Sequence, residues 1–138
     1  MAYEHFDFTH TLRVRYSEVD MQGIAFNANY LAWFDVAVTE FFRARIQPYG
    51  QFVAEAGLDF HVVRVEIDYH SPAQVDDEIS IDLRAHFGGA RVEWFFRMRV
   101  GEKLVASGKI FYACVDAKTR KVKRIPQEIA GRLGWNPG

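Results

Sequence analysis

Apolar and polar residues alternate along the first stretch of the chain. Phe6, Phe8, Leu12, Val14 and Tyr16 fall on one side and Asp7, Thr9, Thr11, Arg13 and Arg15 on the other, with His10 the one polar residue on the apolar side. Successive strand side chains point to opposite faces, so this period of two predicts a half-buried strand. From Ala28 to Ile46 the period changes to that of a helix, with Tyr30, Trp33, Phe34, Ala37 and Phe41 in register. Its polar positions, Asp35, Thr39, Glu40 and Arg43, form only a narrow stripe, so the helix is expected to be covered on most sides. Asn27 is placed as its N-cap, and Pro48 and Gly50 as its stop. A shorter helix is predicted over 49–56, closed by Gly57.

Four strands follow. His61, Val63, Val65, Ile67 and Tyr69 alternate with charged residues, as do Ile79 to Phe87 and Val92 to Val100. Gly88-Gly89 supplies a two-residue hairpin turn between the last two of these. The stretch from Leu104 to Val115 is apolar on both faces, which places it inside the sheet or at a subunit contact. Pro126 is suited to open a short final helix, and Trp135 to Gly138 are expected to fray. One strand, a long apolar helix, a short helix and four antiparallel strands define an α+β layer: a five-stranded antiparallel sheet wrapped round one long central helix. A doubly wound fold is excluded, because helices do not alternate with strands.

Composition narrows the partners more than the fold. The 138 residues are expected to form a single domain over 1–138. A formal charge of −1 supplies no broad basic surface, so neither nucleic acid nor a membrane is an expected partner. One cysteine, Cys114, excludes an intrachain disulfide. No apolar run is long enough to span a bilayer and no signal peptide is visible, so a cytoplasmic location is expected. The aromatic share of 15% points to a core or interface filled with rings.

The chemistry concentrates in Asp20-Met21-Gln22-Gly23-Ile24-Ala25-Phe26-Asn27-Ala28-Asn29-Tyr30. An acid sits in a loop that Gly23 allows to bend sharply. Just beyond it a helix begins, whose first N–H groups lack intrahelical acceptors and carry partial positive charge. A carbonyl oxygen held there would be polarised, while Asp20 attacked its carbon or deprotonated a water. Taken alone, Asp20 would be a solvated loop acid; the helix start beside it gives it a role. Gly23, Ala28, Asn29 and Tyr30 flank the Asn27 amide and are assigned to substrate binding. Arg120, Lys121 and Lys123, with Arg91 after the glycine pair, are candidates for phosphate oxygens. Their ordinary role is a solvated strand edge. The five histidines show no metal-ligand spacing, so no metal is expected. His10 and His61 read as core histidines, and Cys114 as a small core hydrophobe. No Gly-x-Ser-x-Gly elbow is present.

Arg13-Val14-Arg15-Tyr16 through Asp20-Met21-Gln22-Gly23 to Asn27-Ala28-Asn29-Tyr30 resembles the signature of the 4-hydroxybenzoyl-CoA thioesterase family of hotdog-fold acyl-CoA thioesterases. Val65-Glu66-Ile67-Asp68-Tyr69-His70-Ser71-Pro72-Ala73, followed by Asp76-Asp77-Glu78, resembles that family's second strand and the loop after it. The resemblance implies hydrolysis of a small or medium acyl-CoA, aromatic or aliphatic, with no cofactor, because coenzyme A is part of the substrate. It implies a homodimer or homotetramer, Asp20 as the catalytic acid and the Asn27 backbone amide as donor to the thioester carbonyl. Asn27 departs from the histidine or tyrosine often found there. A non-catalytic acyl-CoA-binding module and a thioesterase acting on acyl carrier protein are the alternatives.

Overall fold

The computed structural model describes residues 5–134; Trp135 to Gly138 lie outside them. The elements are β1 (Phe8–Arg13), a single 3-10 turn (Tyr16–Glu18), α1 (Ala28–Arg45), α2 (Tyr49–Ala56), β2 (Leu58–Tyr69), β3 (Glu78–Gly88), β4 (Arg91–Val100), β5 (Lys103–Asp116) and α3 (Gln127–Arg132). The strands make one five-stranded sheet in the order β1-β3-β4-β5-β2, and every neighbouring pair is antiparallel. The sheet curls round α1, which gives the hotdog architecture. As expected of a strand apolar on both faces, β5 lies inside the sheet, between β4 and β2.

The core forms because α1 and the inner sheet face contribute matched rings. Phe34, Phe41 and Phe42 of α1 meet Trp94 of β4, whose ring lies 5.1 Å from Phe41 and 5.9 Å from Tyr112. Edge-to-face pairs of this kind add about 0.5–1.5 kcal/mol each beyond their buried area. The Trp94 indole N–H is enclosed by these rings and has no hydrogen-bond acceptor among the described residues.

Three expectations are corrected. First, α1 is not covered on most sides. Tyr30, Trp33, Phe34, Ala37, Val38, Phe41 and Phe42 are buried, but Leu31 and Val36 stay exposed. A single curled sheet reaches only one side of a helix. Second, a β-bulge at Val63 shifts the register of β2 between Val62 and Arg64. The extra residue reverses the faces, so His61 lies on the outer face beside Arg120 rather than in the core. Third, Asn27 stands at the N-cap position but has helical backbone angles and makes no side-chain cap bond. A capping side chain needs an extended N-cap backbone to reach back to the first turn.

β2 is an edge strand, and Val62, Val63, Val65 and Tyr69 on it are all exposed. Gly108 of β5 lies against its backbone. A Cβ there would overlap the Glu66 carbonyl and sit 3.0 Å from Glu66 C and 3.1 Å from Ile67 Cα.

On the outer face, Asp82 is 2% exposed. It accepts the Nε–H groups of Arg97 and Arg99, both at 2.9 Å, and the Thr9 hydroxyl at 2.6 Å. Burial alone would raise its carboxyl, but the bonds from Arg99, Thr9 and Arg97 outweigh it and hold the pKa below the usual range.

Candidate functional site

The register fixes which residues share an end of the sheet. Arg13 pairs with Glu78, Val100 with Lys103, and Tyr69 with Ala106. The chain from β1 to α1 lies at that end. The N–H of Val14 donates to the Asp77 carbonyl, and Asp76 N–H to that of Val14. Ile24 bridges to Gln74, while Ala25 N–H donates to the Ala73 carbonyl.

Within this segment Val19 bridges to Ala25, and the four residues Asp20 to Gly23 make the tip of a small hairpin. Its tip closes through Asp20 N–H to Ile24 O and Gly23 N–H to Asp20 O, both at 2.9 Å. Gly23 has φ +77, a backbone conformation that a side chain resists. The Asp20 carboxylate folds over the same turn: Oδ1 accepts the N–H of Gln22 at 2.8 Å and of Ile24 at 3.2 Å. Among the described residues Oδ2 accepts nothing, so one oxygen is anchored and the other is available. Asp20, Val19, Tyr16, Met21 and Phe26 line an open cavity of about 360 Å³. Tyr16, Met21 and Phe26 are exposed, at 86%, 105% and 53%, so the acid has a large apolar rim.

The start of α1 lies beside it. Asn29 N–H donates to Phe26 O and Tyr30 N–H to Asn27 O. That leaves the N–H groups of Asn27 and Ala28 without a backbone acceptor among the described residues, as the opening of a helix requires. Tyr69 of β2 donates its hydroxyl to the Asn27 carbonyl at 3.0 Å and stands edge-on to Tyr30. The Tyr30 hydroxyl accepts the Ala73 N–H at 3.3 Å, so Tyr30 is a buried brace of the site.

The sequence reading passed over Glu18, which is 8% exposed. Its Oε1 accepts the Arg15 N–H at 2.8 Å, and its Oε2 the Trp33 Nε1–H at 2.8 Å and the Arg15 guanidinium at 3.3 Å. Its carbonyl accepts Asn29 Nδ2–H at 2.7 Å and Phe26 N–H at 3.1 Å. Burial alone would raise this carboxyl, but the bonds from Arg15 and Trp33 prevail and lower it. Glu18 accepts the N–H of Arg15 three residues earlier, as in half of a capping box, but arginine has no acceptor to complete one, so the sequence carries no capping signature that points to it.

The basic candidates are not at this end. Arg91 opens β4 opposite Gly88 and Ala113, and its guanidinium stacks 4.7 Å from the centre of the Phe111 ring. Arg120 lies in the turn after β5 with φ +65. It donates to Asp59 Oδ2 at 3.1 Å and to His61 Nε2 at 2.9 Å. Tyr49 donates its hydroxyl to the same Asp59. Lys123 lies 3.7 Å from Asp116, and the Lys121 side chain is exposed. About ten strand residues, at about 3.3 Å each, separate these groups from the Asp20 end, a span of roughly 30 Å. Cys114 is buried, and burial pushes its thiol up to about 11, so it is not a nucleophile near neutral pH.

An antiparallel sheet wrapped on a helix defines a hotdog domain, and the anchored acid beside the start of α1 is its candidate site. The chain belongs to the thioesterase-like superfamily, whose family model matches residues 14–133. This is broader than the 4-hydroxybenzoyl-CoA thioesterase resemblance drawn from its motifs. Over 130 residues it is 28% identical to a 1,4-dihydroxy-2-naphthoyl-CoA hydrolase of Nostoc punctiforme, covering 94% of this chain and 88% of the relative. It is also 28% identical to the acyl-CoA thioesterase YbgC of Haemophilus influenzae, covering 88% and 90% of the two chains. The crystal structure of a hypothetical protein from Aquifex aeolicus superposes with a TM-score of 0.85 at 25% identity, over 92% of this chain and 99% of that one. No helix among the described residues is long and apolar enough to cross a membrane.

Proposed function

We propose that this protein hydrolyses acyl-CoA thioesters, with Asp20 as the catalytic carboxylate, general base or nucleophile, and the Asn27 and Ala28 amides as donors to the thioester carbonyl. The observation that carries the reading is the Asp20 carboxylate, anchored through Oδ1 by two backbone N–H groups with Oδ2 left available beside a helix N-terminus. The names of the two relatives support coenzyme A as the thiol. The carbonyl oxygen rests on the amides, which strengthens its polarisation as negative charge develops. Oδ2 then takes a proton from a water that attacks the carbonyl carbon, or attacks that carbon itself to give an anhydride that water opens. In both routes the C–S bond breaks, the thiolate leaves and takes up a proton, and the acid is released. A single turnover in ¹⁸O-water tests the anhydride route: label in Asp20 identifies an anhydride opened by water at the Asp20 carbonyl, whereas label in the first acid released fits direct water attack or an anhydride opened at the acyl carbonyl.

The rim of Tyr16, Met21 and Phe26 supports an apolar acyl group, aromatic or aliphatic. A 4-hydroxybenzoyl or 1,4-dihydroxy-2-naphthoyl group is of this kind.

The working unit in this proposal is a homodimer built on the β2 edge. A twelve-residue edge strand with exposed valines is a template for another strand. Two β2 strands paired antiparallel about a two-fold axis set the start of one beside the end of the other. The second copy's Arg120, Lys121 and Lys123 then approach the Asp20 end of this chain, where they can hold coenzyme A phosphates. The 30 Å separation within one chain thereby becomes proximity between two.

The test is a panel of acyl-CoA thioesters assayed for free thiol, alongside the matching acyl-pantetheines. Thiol release from acyl-CoA, with a higher KM for pantetheine esters that lack the nucleotide phosphates, is the expected result. A raised Tm with CoA esters but no thiol from any of them would instead make the chain a binding module.

A further inference from the structure

Asp20 and the helix amides belong to two different elements, a hairpin tip and the start of α1. Residues 21–26 join them along the chain, and that segment turns at Gly23, with φ +77. Catalysis at a carbonyl needs the acid and the oxyanion donors held in fixed relation, because a misplacement of about 1 Å costs about 100-fold in rate. Glu18, two residues before Asp20 on the segment that leads into the hairpin, is bound to the start of α1. The main chain of Glu18 binds Phe26 N–H and the Asn29 side chain at the start of α1. Its side chain binds the Trp33 indole one turn further along and the Arg15 N–H behind the hairpin. Two residues later the chain reaches Asp20.

We infer that Glu18 is a positioning residue that fixes the Asp20 hairpin against the N-terminus of α1, so that carboxylate and carbonyl donors keep one catalytic geometry. The inference rests on the proposed role of Asp20. Glu18 is buried and does not line the cavity beside Asp20. A carboxylate with no hydrogen of its own suits the role, since it accepts from the Arg15 N–H and the indole N–H at once. An amide in its place has one accepting oxygen, and its NH₂ group must face one of the two donors.

Glu18→Gln therefore loosens the clamp at nearly constant volume. The variants to compare are wild type, Asp20→Asn, Glu18→Gln and Trp33→Phe. The last removes the indole donor while keeping an aromatic ring, and it carries the test if Glu18→Gln does not fold. Each is measured for kcat and KM on one acyl-CoA ester, for Tm, and for the indole ¹H–¹⁵N resonance of Trp33, assigned by its absence in Trp33→Phe. The expected result for folded Glu18→Gln is a kcat lower by about 10- to 100-fold. KM should stay within about twofold, because the substrate contacts remain, and the Trp33 resonance should move upfield as the charged acceptor is lost.

A Glu18 that only stabilised the fold would lower Tm and leave kcat unchanged. Wild-type kcat in folded Glu18→Gln, with Asp20→Asn inactive, overturns the positioning role and leaves the reading of Asp20 standing. An unmoved Trp33 resonance in Glu18→Gln overturns the clamp itself. Wild-type turnover in Asp20→Asn overturns the reading of Asp20, and with it the role assigned to Glu18.

Discussion

Gly108 lies where β5 packs against the β2 backbone, and Gly108→Ala tests whether that contact supports the site. A Cβ at this position meets backbone: the Glu66 carbonyl is overlapped, and Glu66 C and Ile67 Cα lie at 3.0 and 3.1 Å. A flexible side chain could turn aside, but a paired strand can only move as a whole. Overpacking of a tight interior costs about 1–3 kcal/mol, and a backbone obstacle belongs at the upper end. With an unfolding entropy of about 2.1 cal/mol/K per residue, a cost of 3 kcal/mol lowers Tm by about 10 °C in a chain of 138 residues. Thermal unfolding followed by circular dichroism measures this directly. The same strand carries Tyr69, whose hydroxyl binds the Asn27 carbonyl, so thioester turnover should fall even at temperatures where the variant is folded. A Tm within about 2 °C of wild type would refute the reasoning, because β2 would then have room that the register denies it.

Asp82→Ala removes the acceptor of two guanidinium groups and the Thr9 hydroxyl, and should cost about 3 kcal/mol in urea unfolding. A larger loss is not expected, since Arg97 and Arg99 keep about a third of their side-chain surface in water and can turn outward. Glu18 and Asp82 both have folded pKa values below the ordinary range. The unfolded chain therefore binds their protons more readily, and the stability they confer is complete above about pH 4 and lost as pH falls through their lower folded values. Urea midpoints should be flat from about pH 6 to 8 and fall on the acid side, and the fall should be smaller in Asp82→Asn. Val65→Lys places a charge on the exposed β2 edge. Light scattering after size exclusion should show a monomer with lost turnover, whereas an unchanged mass would remove β2 from the assembly.

The sequence made the elements legible because two periods, two and 3.6, dominate it. The bounds of α2 follow from Pro48 and Gly57, and α1 from Ala28 to Arg45 needed only its ring spacing. The bulge at Val63 was not legible. Val62 and Val63 are equally apolar, so an extra residue between faces leaves no mark on the pattern, and His61 went to the wrong side. The coverage of α1 was overstated because an apolar helix does not say whether its own chain or another one covers it. Leu31 and Val36 are exposed here.

At the site, Asp20, Gly23 and the helix start were legible as neighbours in sequence. Glu18 was not, since Asn29 and Trp33 lie eleven and fifteen residues away and meet it only when the Val19–Ala25 hairpin closes. The remoteness of Arg91 and Arg120 could have been read. Arg91 follows the Gly88-Gly89 turn, and an antiparallel order places that turn at the opposite end of the sheet from the end of β1.

The central claim is that Asp20 carries the chemistry at a thioester. The most direct measurement is thiol release by Asp20→Asn against wild type, on the acyl-CoA ester that wild type turns over fastest. Asparagine keeps a side-chain oxygen for the Gln22 and Ile24 N–H groups, so the hairpin should fold and Tm should stay near that of wild type. Loss of a general base removes about 10²–10⁴-fold in kcat, and loss of a nucleophile should remove at least as much. A fall in kcat of at least about 100-fold at unchanged Tm is the predicted result. Turnover equal to wild type in a folded Asp20→Asn would contradict the account.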